Sequence, residues 1–117
     1  MESAIGLCEI LAKIKTKPGM YIGNSSVSDL FIFLAGYKTA RRELGVNPTG
    51  RELIFYEGFH EFVQSYYQIH TSKSWAKIIM LYCSDERQGL DRFFELLEKF
   101  ENSSEKSQQI ENNMVKV

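Results

Sequence analysis

Apolar side chains recur at intervals of three and four residues through most of this 117-residue chain. Leu7, Leu11 and Ile14 form one such face, with Cys8 beside them. Val27, Leu30, Phe31, Leu34, Tyr37 and Leu44 form a second. Phe55, Phe59, Phe62, Val63, Tyr66 and Ile69 form a third, and Leu90, Phe93, Phe94, Leu97 and Phe100 a fourth. This spacing marks amphipathic helices, and the strict alternation of a half-buried strand is missing. One segment, SWAKIIMLYC, has the β-branched and aromatic content of a strand. Nothing else in the chain would pair with it, so it is predicted as a buried helix. The expected fold is all-α: a single-domain bundle of about five helices over residues 1–101. From Asn102 the composition turns to Ser, Glu, Gln, Asn and Lys, and residues 102–117 are expected to form a disordered polar tail.

Punctuation separates the helices. Pro18 disfavours helical backbone at Lys17, so KPGMYIGN closes the first helix. Ser26 with Asp29 resembles a capping box. Gly45 and Pro48 end the second long helix. Ser72 is a candidate cap for SWAKIIMLYC. Ser84, Asp85 and Glu86 read as the cap and acidic first turn of the last helix. Gly36, Gly58 and Gly89 lie inside predicted helices, where each costs up to about 1 kcal/mol relative to Ala, and close helix–helix approach is the expected reason.

The sequence resembles no enzyme site. KPGMYIG is similar to the phosphate-binding end of type II topoisomerase ATPases. Those domains follow it with a helix carrying a Glu and an Asn, and later an Asp-x-Gly-x-Gly. Here the next helix, VSDLFIFLAGYKTARREL, has no Asn, and no Asp-x-Gly-x-Gly occurs. The heptapeptide is instead expected to be structural. Pro18, Gly19, Tyr21 and Gly23 would shape an apolar loop tucked under the helices, with an exposed Tyr21 as an alternative anchor. Glu57 and His60 make one Glu-x-x-His pair, where a di-iron bundle needs two. Cys8 and Cys83 have no metal spacing, and neither is placed near His60 or His70 as a nucleophile would be. No cofactor, metal or catalytic residue is expected. The first residues lack the pattern of a signal peptide, and no run is long and apolar enough to span a bilayer. Two cysteines in apolar runs suit a reduced compartment, so the expectation is a cytoplasmic protein, monomeric or weakly dimeric.

Charge is unevenly placed although its formal sum is only -1. Residues 1–51 carry seven Lys/Arg against four acids, and residues 52–117 carry seven against eleven. The short basic stretch near Lys13 reads as a solvated face, so direct nucleic-acid binding is not expected. The acids are more suggestive. Glu52, Glu57 and Glu61 lie on one predicted helix. Asp85, Glu86, Asp91, Glu95 and Glu98 lie on or beside the last. Glu57 with Glu61, and Asp91 with Glu95 and Glu98, have the spacing of a shared helix face. Such carboxylates steer a basic partner, and Tyr56, Tyr66 and Tyr67 are the aromatic residues placed to anchor it.

The order of KPGMYIG, LFIFLAGYKTARRELG, EGFHEFVQSYY and SWAKIIMLYCSDERQGLDRFFELLEKF resembles a family of small bacterial proteins. Their shared features are a Pro-Gly-Met-Tyr-Ile-Gly loop, a Gly-Tyr helix, a Gly-Phe-His segment and a Phe-Phe-Glu-Leu-Leu helix. They include immunity proteins of contact-dependent growth inhibition. The resemblance covers roughly residues 7 to 101. It implies a protein that binds and neutralises a cognate toxin domain, a tRNase or other nuclease with a basic cleft, without catalysis of its own. A regulatory or structural adaptor is the alternative. The family's motifs are architectural, so no binding residue is implied by them.

Overall fold

Four of the helices start where a short polar side chain takes over an amide that the first turn leaves unpaired. In the computed structural model, which describes residues 6–115 with side chains through Ser104, Ser26 Oγ accepts from Asp29 N at 3.1 Å. Thr49 Oγ1 accepts from Glu52 N at 3.2 Å, and Glu52 accepts from Thr49 N at 2.9 Å, completing a capping box. Ser74 Oγ accepts from Lys77 N at 3.2 Å, so Ser74, and not Ser72, caps the ambiguous segment. Asp85 Oδ1 accepts from Gln88 N at 2.8 Å. The resulting elements are α1 (Leu7–Thr16), α2 (Pro18–Ile22), α3 (Val27–Glu43), α4 (Gly50–Tyr67), α5 (Trp75–Leu81) and α6 (Glu86–Val115). No strand occurs among the described residues.

Two helices stop in the same way. Gly45 adopts φ 75°, its N–H reaches Arg42 O at 3.0 Å, and Val46 N reaches Arg41 O at 2.9 Å. Gln68 adopts φ 54°, with Gln68 N on Ser65 O at 3.2 Å and Ile69 N on Gln64 O at 3.0 Å. Both patterns pair the last carbonyls through a left-handed residue. Glycine takes that conformation freely, whereas the glutamine does so at a steric cost.

The core gathers one face of each long helix. Leu7, Leu11 and Ile14 come from α1, Val27, Leu30 and Leu34 from α3, and Phe55, Phe59 and Val63 from α4. Leu90, Phe93, Leu96 and Phe100 come from α6. The short α5 buries Trp75, Ala76, Ile78 and Ile79 and packs against α3, α4 and α6. Burial on several sides explains why its sequence is apolar without a clear period. Its ambiguity is resolved as helix. Aromatic rings tie the centre together: Phe59 meets Phe55, Trp75, Phe93 and Phe100 with centroids 5.0–5.5 Å apart.

Gly89 is where α6 comes closest to its neighbours. A Cβ there would lie 2.6 Å from Val27 Cγ1 and 2.9 Å from Met80 Sδ. At Gly58 it would meet the Phe100 ring at 3.3 Å, while at Gly36 it would meet nothing within 4 Å. Close approach therefore accounts for two of the three helical glycines.

Other expectations change. The KPGMYIG stretch is not a tucked loop. Pro18 stands at the first position of α2, where its missing N–H costs nothing, and Gly23 at φ 83° ends that helix. Met20 is 70 % exposed, Tyr21 is partly buried, and a Cβ at Gly19 would meet nothing within 4 Å. Leu44, placed by periodicity on the core face, is 80 % exposed because it lies past the end of α3 at the turn. Beyond Asn102, where the polar tail is expected, the backbone of α6 continues to Val115, and side chains after Ser104 lie outside the described residues.

Candidate protein-binding surface

The eleven acidic and aromatic candidates divide into three groups. Glu52 and Glu86 are internal ties. Glu52 is only 3 % exposed. Its Oε2 accepts from Leu7 N at 2.8 Å, and its Oε1 accepts from Thr49 N at 2.9 Å and Arg41 at 3.4 Å. One carboxylate thus joins the start of α1, the start of α4 and the side of α3. Burial pushes its pKa up, but the Leu7 and Thr49 amides and the Arg41 charge outweigh that and hold it below the ordinary carboxylate range. Glu86, half-buried, does the same for α3. It accepts from Ser28 N at 2.9 Å, Ser28 Oγ at 2.7 Å and Ser26 Oγ at 3.1 Å. Its pKa is also lowered, against burial, by those donors. Neither carboxylate is presented to a partner.

Tyr56, Glu57 and Glu61 belong elsewhere on α4. Tyr56 is partly buried, with Lys38 Nζ 4.6 Å from its ring centre. Burial raises its hydroxyl pKa. Glu57 and Glu61 are exposed on the side of α4 opposite Phe55 and Phe59. Those rings face Phe93 and Phe100 of α6. The outward acids of α4 and those of α6 therefore look away from each other, and they do not form one carboxylate surface.

The third group sits together. Asp91, Glu95 and Glu98 are all exposed on the outer side of α6, at the i, i+4 and i+7 positions. Glu95 pairs with Arg92 at 3.6 Å, while Asp91 and Glu98 make no ion pair among the described residues. Lys15 and Arg87 line the same shallow depression, so the charge there is mixed along one margin. On the other margin Arg92 donates to the Tyr67 hydroxyl at 3.0 Å. That bond raises the Arg92 pKa, and burial raises that of Tyr67. Tyr67 lies parallel to Tyr82, 4.1 Å between centroids and 3° between planes, and Tyr66 stands edge-on to it at 4.9 Å. Tyr66 and Tyr82 are each 46 % exposed, with Leu81 exposed beside them. Asp85, also exposed, follows three residues after Tyr82 while capping α6. Arg92, Glu95 and Asp85 all act electrostatically on the Cys83 thiol between them, whose pKa burial raises.

The structure thus joins Tyr66, Tyr67, Asp85, Asp91, Glu95 and Glu98 around one end and one side of α6. Tyr82 completes this surface and is absent from the sequence candidates. It sits at the end of a short helix, outside any period, and only its stacking on Tyr67 singles it out.

Elsewhere, an apolar trough of about 300 Å³ runs between α1, α4 and α6, past Leu11, Ile54, Leu97 and Cys8. Burial pushes the Cys8 thiol up, away from reactive thiolate. Among the described residues no three of His, Cys, Asp and Glu stand together as metal ligands, and no helix is long and apolar enough to cross a membrane. No family model matches the chain, and neither a curated protein nor a solved structure matches it.

Proposed function

We propose that this protein is an immunity protein that holds and neutralises a cognate antibacterial toxin, a nuclease with a basic cleft, inside the producing cell. The observation that carries the reading is the row of exposed carboxylates Asp91, Glu95 and Glu98 on α6, set beside half-exposed tyrosines. The resemblance of the sequence to immunity proteins of contact-dependent growth inhibition supports it from another direction. A nuclease carries positive charge because its substrate is a polyanion. Carboxylates fixed along a helix draw such a surface in and orient it, and the tyrosines supply buried contact area. The protein performs no chemistry in this account. It occupies or flanks the cleft and excludes the substrate.

The test pairs the purified protein with the toxin encoded beside its gene. Nuclease activity is expected to fall to background near one equivalent. Full activity at stoichiometric excess refutes the reading. Reversing Asp91, Glu95 and Glu98 to lysine is expected to slow association about ten-fold or more at low salt and to flatten its salt dependence. Reversing Glu57 and Glu61 on the far side is expected to change neither.

A further inference from the structure

The chain shields several of its partly buried aromatic rings with its own cations. Lys38 stands 4.6 Å from the Tyr56 ring centre, Arg41 5.1 Å from that of Tyr37, and Lys15 5.8 Å from that of Phe94. Among the described residues no cation is placed over Tyr82, although it and Tyr66 are the two most exposed tyrosines. Tyr67 covers one face of Tyr82 by parallel stacking. Tyr82 is nevertheless 46 % exposed, so its ring is stacked on one side without being enclosed. Arg92, the cation bound to this stack, is engaged by the Tyr67 hydroxyl and Glu95. That arrangement ties Arg92 to Tyr67 and leaves the Tyr82 ring with no cation over it among the described residues. Asp85 and Glu95, both exposed, each act electrostatically on Cys83, the residue that follows Tyr82.

We infer that the outer face of Tyr82 is the docking point for an arginine side chain of a basic protein partner, with Asp85 and Glu95 supplying complementary charge. A guanidinium is planar, stacks on an aromatic face, and keeps its edge donors free for carboxylates. The platform is already assembled, so docking orders few side chains. This inference rests on the reading of a basic partner and names the group that partner presents.

The test needs no toxin. A Gly-Arg-Gly-Arg-Gly peptide amide is titrated into the full chain while tyrosine ring signals are followed by NMR, with the citrulline counterpart as the uncharged probe. The arginine peptide is expected to move the Tyr82 and Tyr67 signals saturably, and the citrulline peptide to leave them in place. Tyr82→Phe keeps the ring face and is expected to keep the response of Tyr67. Tyr82→Leu is expected to lose it, with thermal midpoint and Trp75 emission showing that the fold is intact. An equal response to citrulline, or a Tyr67 response that survives Tyr82→Leu, overturns the inference.

With the toxin in hand, Tyr82→Leu is expected to raise the dissociation rate about 3- to 30-fold with an unchanged salt slope. Reversal of the α6 carboxylates acts on association instead. Arginine docking at Tyr82 with an uninhibited toxin sinks the immunity reading alone. Inhibition that ignores Tyr82 sinks this inference alone.

Discussion

Replacing Glu52 with glutamine removes a charge and hardly changes shape, so it isolates what the buried carboxylate does. Glutamate presents two oxygens, one to Leu7 N at 2.8 Å and one to Thr49 N at 2.9 Å. Glutamine presents one oxygen and an NH2 group. One of the two backbone amides must then face a donor, inside a site that is 3 % exposed. A hydrogen bond to a charged group contributes roughly 1.5–3 kcal/mol, and a buried unpaired donor costs roughly 1–3 kcal/mol. The Arg41 contact is longer, at 3.4 Å, and adds less. Together these come to roughly 3–6 kcal/mol, which for a chain of this length lowers the thermal midpoint by roughly 10–30 °C. Far-ultraviolet circular dichroism on heating, near neutral pH, measures it. The pH dependence has a definite sign. Glu52 titrates lower in the folded protein than in the unfolded chain. Its contribution is therefore complete above the unfolded value of about 4.3 and disappears as the pH falls through the folded one. The gap between wild type and Glu52→Gln should close over that acidic window. A midpoint within about 2 °C of wild type near neutral pH, or a gap that persists into acid, refutes the three-helix tie.

The remaining predictions concern backbone and thiols. Gly89→Ala places a methyl against the β-branched Val27 and is expected to lose about 1–3 kcal/mol in urea unfolding, despite the better helix former. Gly36→Ala, with open space around it, is expected to gain up to about 1 kcal/mol in the same assay. Gln68→Gly relieves a left-handed residue at the end of α4 and is expected to stabilise by about 1 kcal/mol. Both thiols have pKa values raised by burial, so Cys8 and Cys83 are expected to alkylate slowly at neutral pH and quickly in denaturant, as mass spectrometry would show.

Periodicity made the core legible. Leu7, Leu11, Ile14, Leu30, Leu34, Phe55, Phe59, Val63, Leu90, Phe93 and Phe100 are buried where the three- and four-residue spacing puts them. Leu96, at the margin of the apolar stripe of α6, is buried as well. The surface was less legible for a specific reason. A lone glutamate in a helix looks solvated unless its partner is known, and Glu52 meets an amide 45 residues away. Glu86 likewise caps a helix whose serines lie 58 and 60 positions earlier. Local pattern carries no trace of such contacts. The same holds for Tyr82, whose position is set by the ring of Tyr67 and by no repeat.

Trp75, the single tryptophan of the chain, stands where α3, α4, α5 and α6 converge, against Phe31, Phe59 and Phe93. Its indole is therefore a built-in optical gauge of assembly. Emission from a dry aromatic interior shifts to longer wavelength only when those four helices separate. Its ring partners are Phe31, Phe59 and Phe93 and include none of Tyr66, Tyr67 and Tyr82, so a partner arriving at those tyrosines leaves its packing in place, and the shift reports loss of structure.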